Sequence, residues 1–174
     1  MRPELNYGLL AGAAMSGWVL IEYALGLHTR HFGLAQSTGW VTVLILLTIL
    51  HVFLRRQITR LNRYWLPVWE GVLHGTFMSL VAALVFYVFL ALYLFIIHPA
   101  WPDHYLEWQV ARYREAGLPE KQIGEFARFF RWTVSPAGLA AVTLGLYTVG
   151  GLLASSVLTL WVNWRHKEKP VGPD

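Results

Sequence analysis

Long uncharged stretches alternate with short charged ones along this chain. Four of the uncharged stretches are of membrane-spanning length. The first runs from about Leu5 to Gly26 and meets no charge before Glu22, and the second runs from about Thr38 to Leu54. The third, Gly71 to Ile97, and the fourth, Pro136 to Trp164, contain no Asp, Glu, Lys or Arg. About 20 apolar residues at a rise of about 1.5 Å each cross a bilayer as a helix. The pattern predicts an all-α polytopic membrane protein. Its four transmembrane helices, at about 5–26, 38–54, 71–97 and 136–164, would form one domain over residues 1–174. The first stretch is expected to stay in the chain as a helix rather than to be a removed signal peptide.

Residues 99–133 read differently, because five acids there balance five bases. Pro99 and Pro102 end the third helix, since proline lacks the N–H that a helix interior needs. Gly117-Leu118-Pro119 divides the segment into two short helices, with Gly as a C-terminal cap and Pro in the next first turn. Ile123, Phe126, Ala127 and Phe130 then form one apolar stripe at helical spacing. With Trp101, Trp108 and Trp132 nearby, this predicts an amphipathic helical segment lying on the outer membrane surface. Ser135-Pro136 opens the last helix, Ser as N-cap and Pro at the first helical position.

Composition sharpens the class. Apolar residues make up 56% and charged residues 14% of the 174, where a soluble domain carries about a quarter charged. With no cysteine, disulfides and cysteine-based zinc or iron–sulfur sites are excluded. The net charge is +4, but the bases are spread over loops and helix ends, which suits membrane orientation and not nucleic acid. With the N-terminus inside, the inner segments hold eight Lys and Arg, including Arg55, Arg56, Arg60 and Arg63 in one short turn, and the outer ones six. The positive-inside rule therefore places both termini in the cytoplasm.

Small residues recur at four-residue spacing: Gly8, Gly12 and Ser16 in the first helix, and Gly151, Ser155 and Thr159 in the last. Such ladders let another helix approach closely. Few residues suggest chemistry. Glu22 is an ionisable group inside an apolar helix, a functional candidate by default, with His28, Arg30 or another helix as its expected partner. Glu70 and His74 share a helix face near the inner interface, and His51 is expected at similar depth. The three would serve as a proton relay, a metal or haem site, or a polar tie between two helices. His98, His104, Asp103 and Glu107 form a wet corner with no paired ligand spacing. Ser135, Ser155 and Ser156 have no adjacent base, so no enzyme is expected.

In order along the chain stand Tyr7-Gly8 before a small-residue helix, an Arg-rich loop leading to Glu70-Gly71 and His74-Gly75, and a Tyr-rich third helix closing on Ile97-His98-Pro99. An acid-and-base loop with Gly117 follows, and then Ser135-Pro136 opening a Gly-rich helix that ends in Ser155-Ser156. Over nearly its whole length the chain resembles the DUF4199 family of bacterial membrane proteins. The resemblance implies a four-helix protein of the bacterial cytoplasmic membrane and supplies no catalytic residues.

The expected role is an accessory or structural subunit of a larger membrane complex, with membrane lipids and either protein partners or self-association. Bound lipid is expected and no cofactor. Two alternatives stand beside it: a small oligomeric carrier or ion pathway using Glu22 or Glu70/His74/His51, and a haem- or pigment-binding subunit using His51 and His74.

Overall fold

A computed structural model describes residues 3–60 and 65–167. Arg2, Arg63 and Lys169, counted among the inner bases, lie outside the described residues. The elements are α1 (Pro3–Ala24), α2 (Phe32–Thr38), α3 (Trp40–Arg60), α4 (Val68–Leu92), α5 (Trp101–Glu115), α6 (Glu120–Thr133) and α7 (Pro136–Lys167). A π-helical turn, Tyr93–Ile97, continues α4. No strand occurs among the described residues.

The second helix is longer than its apolar run. Arg55, Arg56 and Arg60 belong to the last turns of α3 rather than to a loop, and the short α2 precedes it. Three segments are long and apolar enough to cross a membrane: Phe32–Arg60, Val68–Ile97 and Pro136–Arg165. They fit a multi-pass membrane protein. The expectation of four rests on α1, which is not among the three by length and composition. Glu4, Asn6 and Glu22 and its glycines dilute its apolar content. Large apolar side chains nevertheless face outward all round the bundle, among them Leu10, Leu44, Leu73, Val88, Leu153 and Val157. A soluble bundle keeps such a face polar.

Side-chain pairs fix the helix directions. Glu4 meets His74 and Tyr23 meets Tyr93, so α1 runs parallel to α4. Tyr7 meets Phe53, and Glu22 meets Thr38 at the end of α2, just before α3, so α3 runs opposite to α1. Thr42 meets Tyr147 and His51 meets Trp161, so α7 runs with α3. The directions alternate up, down, up, down. α4 packs mainly on α1 and α7, while α3 lies across the bundle from it and touches it less.

Small residues close these seams. A Cβ added at Gly71 would strike Thr159, one at Gly75 would lie 2.5 Å from Ser155 Cβ, and one at Gly151 would strike Ser79. The pairs 71/159, 75/155 and 79/151 follow one antiparallel register, so two small-residue ladders interlock. On the other side of α4, a Cβ at Gly8 or Gly12 would lie 2.6 Å from Val81 or Val85 and 2.8 Å from a backbone carbonyl. Close backbone approach of this kind maximises packing where no hydrophobic drive exists between helices. Asn163 adds a polar stitch: its Nδ2 donates to the Leu66 carbonyl (2.7 Å) and its Oδ1 accepts from the Leu66 N–H (2.9 Å).

Residues 99–133 form a helical hairpin, α5 and α6, broken at Gly117, whose φ of +75° suits glycine. The apolar stripe of α6 packs in part on its own chain. Phe126 packs on Tyr113 and Phe130 on Tyr105, and Ile123 is buried. Phe129 and Trp132 stay exposed. Ser135 accepts the Gly138 N–H at 3.2 Å and so caps α7.

Candidate functional site

At the arginine end, the three groups expected to converge do not. His74 turns to α1, with Nδ1 2.7 Å from Glu4 Oε1. His51 turns to α7, its ring 5.1 Å from that of Trp161, and its Nδ1 is buried without a hydrogen bond. Glu70 stands in the first turn of α4, where an acid complements the helix dipole. The cause is the bundle order, which puts α3 and α4 across from each other. Among the described residues no group of three His, Asp or Glu could hold a metal ion, and this includes the His98/His104 corner.

The polar residues converge at the other end, beneath the hairpin. Glu22 is only 4% exposed. Its Oε1 accepts from Trp18 Nε1 at 2.9 Å and from the Thr38 hydroxyl at 2.5 Å, and His28 Nε2 lies 3.4 Å from Oε2. The other ring nitrogen of His28 is 2.6 Å from the Tyr93 hydroxyl, which lies 3.4 Å from His98 Nδ1. With His28 in its neutral Nε2–H form, His28 donates to Glu22, Tyr93 O–H donates to His28 Nδ1, and His98 Nδ1–H donates to Tyr93. Every partner of the Glu22 side chain is then a donor. Burial pushes His28 below the usual imidazole range, and the neighbouring Glu22 recovers only part of that shift. His98 is likewise lowered by burial. His28 therefore sits neutral beside the acid at pH 7.

These groups form the polar end of a cavity of about 450 Å³. α1 and α4 supply Val19, Phe86 and Leu90, and α7 supplies Leu139, Thr143 and Tyr147. The hairpin closes it with Trp101, Tyr105 and Phe130. An aromatic chain ties the lid down: Trp101 stacks on Tyr105 at 5.3 Å and lies 5.7 Å from His28, and Phe32 of α2 meets Tyr105 and Trp108. The Trp101 Nε1 is buried and makes no hydrogen bond. Arg112 lies over Trp108 at 5.2 Å and donates to Gln36 Oε1 at 3.4 Å.

A family model described as a protein of unknown function, DUF4199, matches residues 6–163. The chain belongs to the DUF4199 family. No curated protein and no solved structure matches it. The family match begins inside α1 and ends inside α7, and so spans Glu22 and the hairpin of this DUF4199 chain. Sequence reasoning singled out Glu22 and His28 but missed Trp18, Thr38, Tyr93, Trp101 and Tyr105. Only Trp18, one helical turn before Glu22, left a readable signal.

Proposed function

We propose that this is a non-catalytic four-span protein of the bacterial cytoplasmic membrane that binds one amphiphilic small molecule in the cavity beneath its hairpin. The cavity carries the reading: about 450 Å³ falls in the range of small-molecule sites, roughly 300–1,000 Å³, and such sites pair apolar walls with a few placed polar groups. Glu22 and His28 mark the polar end, and a lipid or lipid-like molecule fits the rest.

The fourth span is α1. From the Glu4–His74 pair to the Tyr23–Tyr93 contact it accompanies α4 for about 28 Å of rise at about 1.5 Å per residue, close to the bilayer core. Arg55, Arg56, Arg60 and Arg165 gather at the end away from the hairpin, which by the positive-inside rule supports that end and both termini lying inside and the cavity outside. The seam between α1 and α4 is closed by Ala11, Met15, Met78 and Ala82, each fully buried, which weighs against an ion pathway through one chain.

Native mass spectrometry from mild detergent tests the binding reading. The wild type is expected to retain a small molecule that is absent from Val142→Trp, a substitution in the cavity wall. A wild type bare of any adduct, or the same adduct on both chains, contradicts it.

An accessory role in a larger complex is the second reading. Gly8, Gly12, Gly151 and Ser155 are taken up inside the chain, but Gly17, Gly145 and Gly150 have open space where a Cβ would stand, leaving small-residue faces for another helix. Co-purification tests it, and a chain recovered alone and monomeric would exclude it.

A further inference from the structure

The cavity's charge and its walls point to the class of molecule it takes. Among its lining residues Glu22 is the one acid, and no Lys or Arg is present. Arg112, which touches the lining through Gln36, is also held over the Trp108 face. Glu22 is buried, and its ion-pair partner among the described residues is His28, whose burial keeps it neutral. A carboxylate has about four acceptor positions, and Trp18, Thr38 and His28 fill three. The site thus holds one acidic group with no basic residue in the lining beyond His28, and with one acceptor position unfilled. A buried charge without an opposite charge is costly, so the cavity gains most from a cation.

The walls agree. Phe86, Tyr93, Trp101, Tyr105, Phe130 and Tyr147 all line the cavity. Aromatic faces attract a cation through the ring quadrupole, and more strongly where water is excluded. They also suit apolar substituents around the charged centre. A small inorganic cation would find one carboxylate and no further acid in the lining, whereas an anion would face Glu22 with no Lys or Arg there to answer it.

We infer that the cavity selects a hydrophobic organic cation, an ammonium or phosphonium centre with apolar substituents, with Glu22 as its counter-charge and the surrounding aromatic rings as its walls. This rests on the reading of the cavity as a ligand site.

The test uses two probes of matched shape and opposite charge, tetraphenylphosphonium and tetraphenylborate, titrated into the full-length protein in lipid nanodiscs. Saturable binding is taken as the difference from Val142→Trp, which removes partition into lipid. The wild type is expected to bind the phosphonium at least roughly tenfold more tightly than the borate, as a desolvated charge pair demands. Glu22→Gln should erase that preference while leaving the melting temperature of the empty protein close to wild type. If Glu22→Gln does not fold, the wild-type comparison of the two ions decides alone. Equal affinities, or tighter binding of the borate, overturn the cation inference and leave the cavity reading standing. Saturable binding of neither ion also overturns it. If the purified chain in addition retains no small molecule, the cavity reading falls with it.

Discussion

The two ends of this bundle are built on opposite principles. At the arginine end, Gly71, Gly75 and Ser79 interlock with Thr159, Ser155 and Gly151 until no space for a methyl group remains. At the capped end the same two helices separate around large side chains. There Phe86 and Tyr147 meet edge to face at 5.5 Å, and Gly145 has nothing within 4 Å of where its Cβ would be. Small residues draw helices together and aromatic ones hold them apart. At the capped end this leaves a cavity lined by aromatic rings, and the buried carboxylate of Glu22 lies at its edge.

The largest test of that contrast compares two glycines of neighbouring helices. Gly75→Val should cost about 3 kcal/mol or prevent accumulation, because overpacking a closed seam forces backbone shifts. Gly145→Ala should be neutral or stabilising by a few tenths of a kcal/mol, since alanine is the better helix former. Equilibrium unfolding in mixed micelles measures both, and equal costs would erase the distinction between the ends. Next comes the polar network. Glu22→Leu leaves Trp18, Thr38 and His28 without their acceptor and should cost about 2–3 kcal/mol, whereas Glu22→Gln keeps an acceptor oxygen and should cost less than about 1 kcal/mol. The order of the two variants in the same unfolding assay is the readout. At the arginine end, Asn163→Ala removes two hydrogen bonds to Leu66 and should cost about 1–2 kcal/mol, with no change in ligand retention.

The smallest effect is in pH. His28 is lowered by burial in the folded state. The folded chain therefore binds fewer protons than the unfolded one, and stability rises with pH across the window. The contribution is complete above the unfolded imidazole value of about 6.5 and is lost as pH falls below it. Thermal melts of the wild type should drop modestly from pH 7.5 to pH 5.5, and those of His28→Gln should drop less. Glu22, Tyr93 and His98 face the same ring, so equal slopes in the two chains would assign the effect to them.

Much of the fold was legible in the sequence because it depends on local rules. Pro99, Gly117, Pro119 and Ser135-Pro136 mark breaks through missing N–H groups, a left-handed cap and an N-cap, none of which needs a neighbour. The apolar runs located α3, α4 and α7 because length and hydropathy are one-dimensional properties. What failed was everything set by which face meets which. His74 and His51 share a depth, but α3 and α4 stand across the bundle, so one imidazole answers Glu4 and the other lies on Trp161. The ladders of α1 and α7 read as seams for another helix without saying which one: α7 interlocks with Gly71, Gly75 and Ser79, and Gly8 and Gly12 of α1 close on Val81 and Val85. The α6 stripe read as a membrane-facing surface because periodicity shows an apolar face without showing what covers it. The π turn at Tyr93, which helps bring that hydroxyl to His28, has no signature in composition.

The claim on which the rest depends is that α1 crosses the bilayer beside α4 and sets the capped cavity on the outer side. The chain has no cysteine, so single cysteines at Asn6, Thr29, Arg56 and Lys121 can be labelled with a membrane-impermeant maleimide in right-side-out vesicles. The account predicts labelling at positions 29 and 121 in sealed vesicles, and at positions 6 and 56 only after permeabilisation. Labelling of positions 6 and 29 from the same side would contradict it.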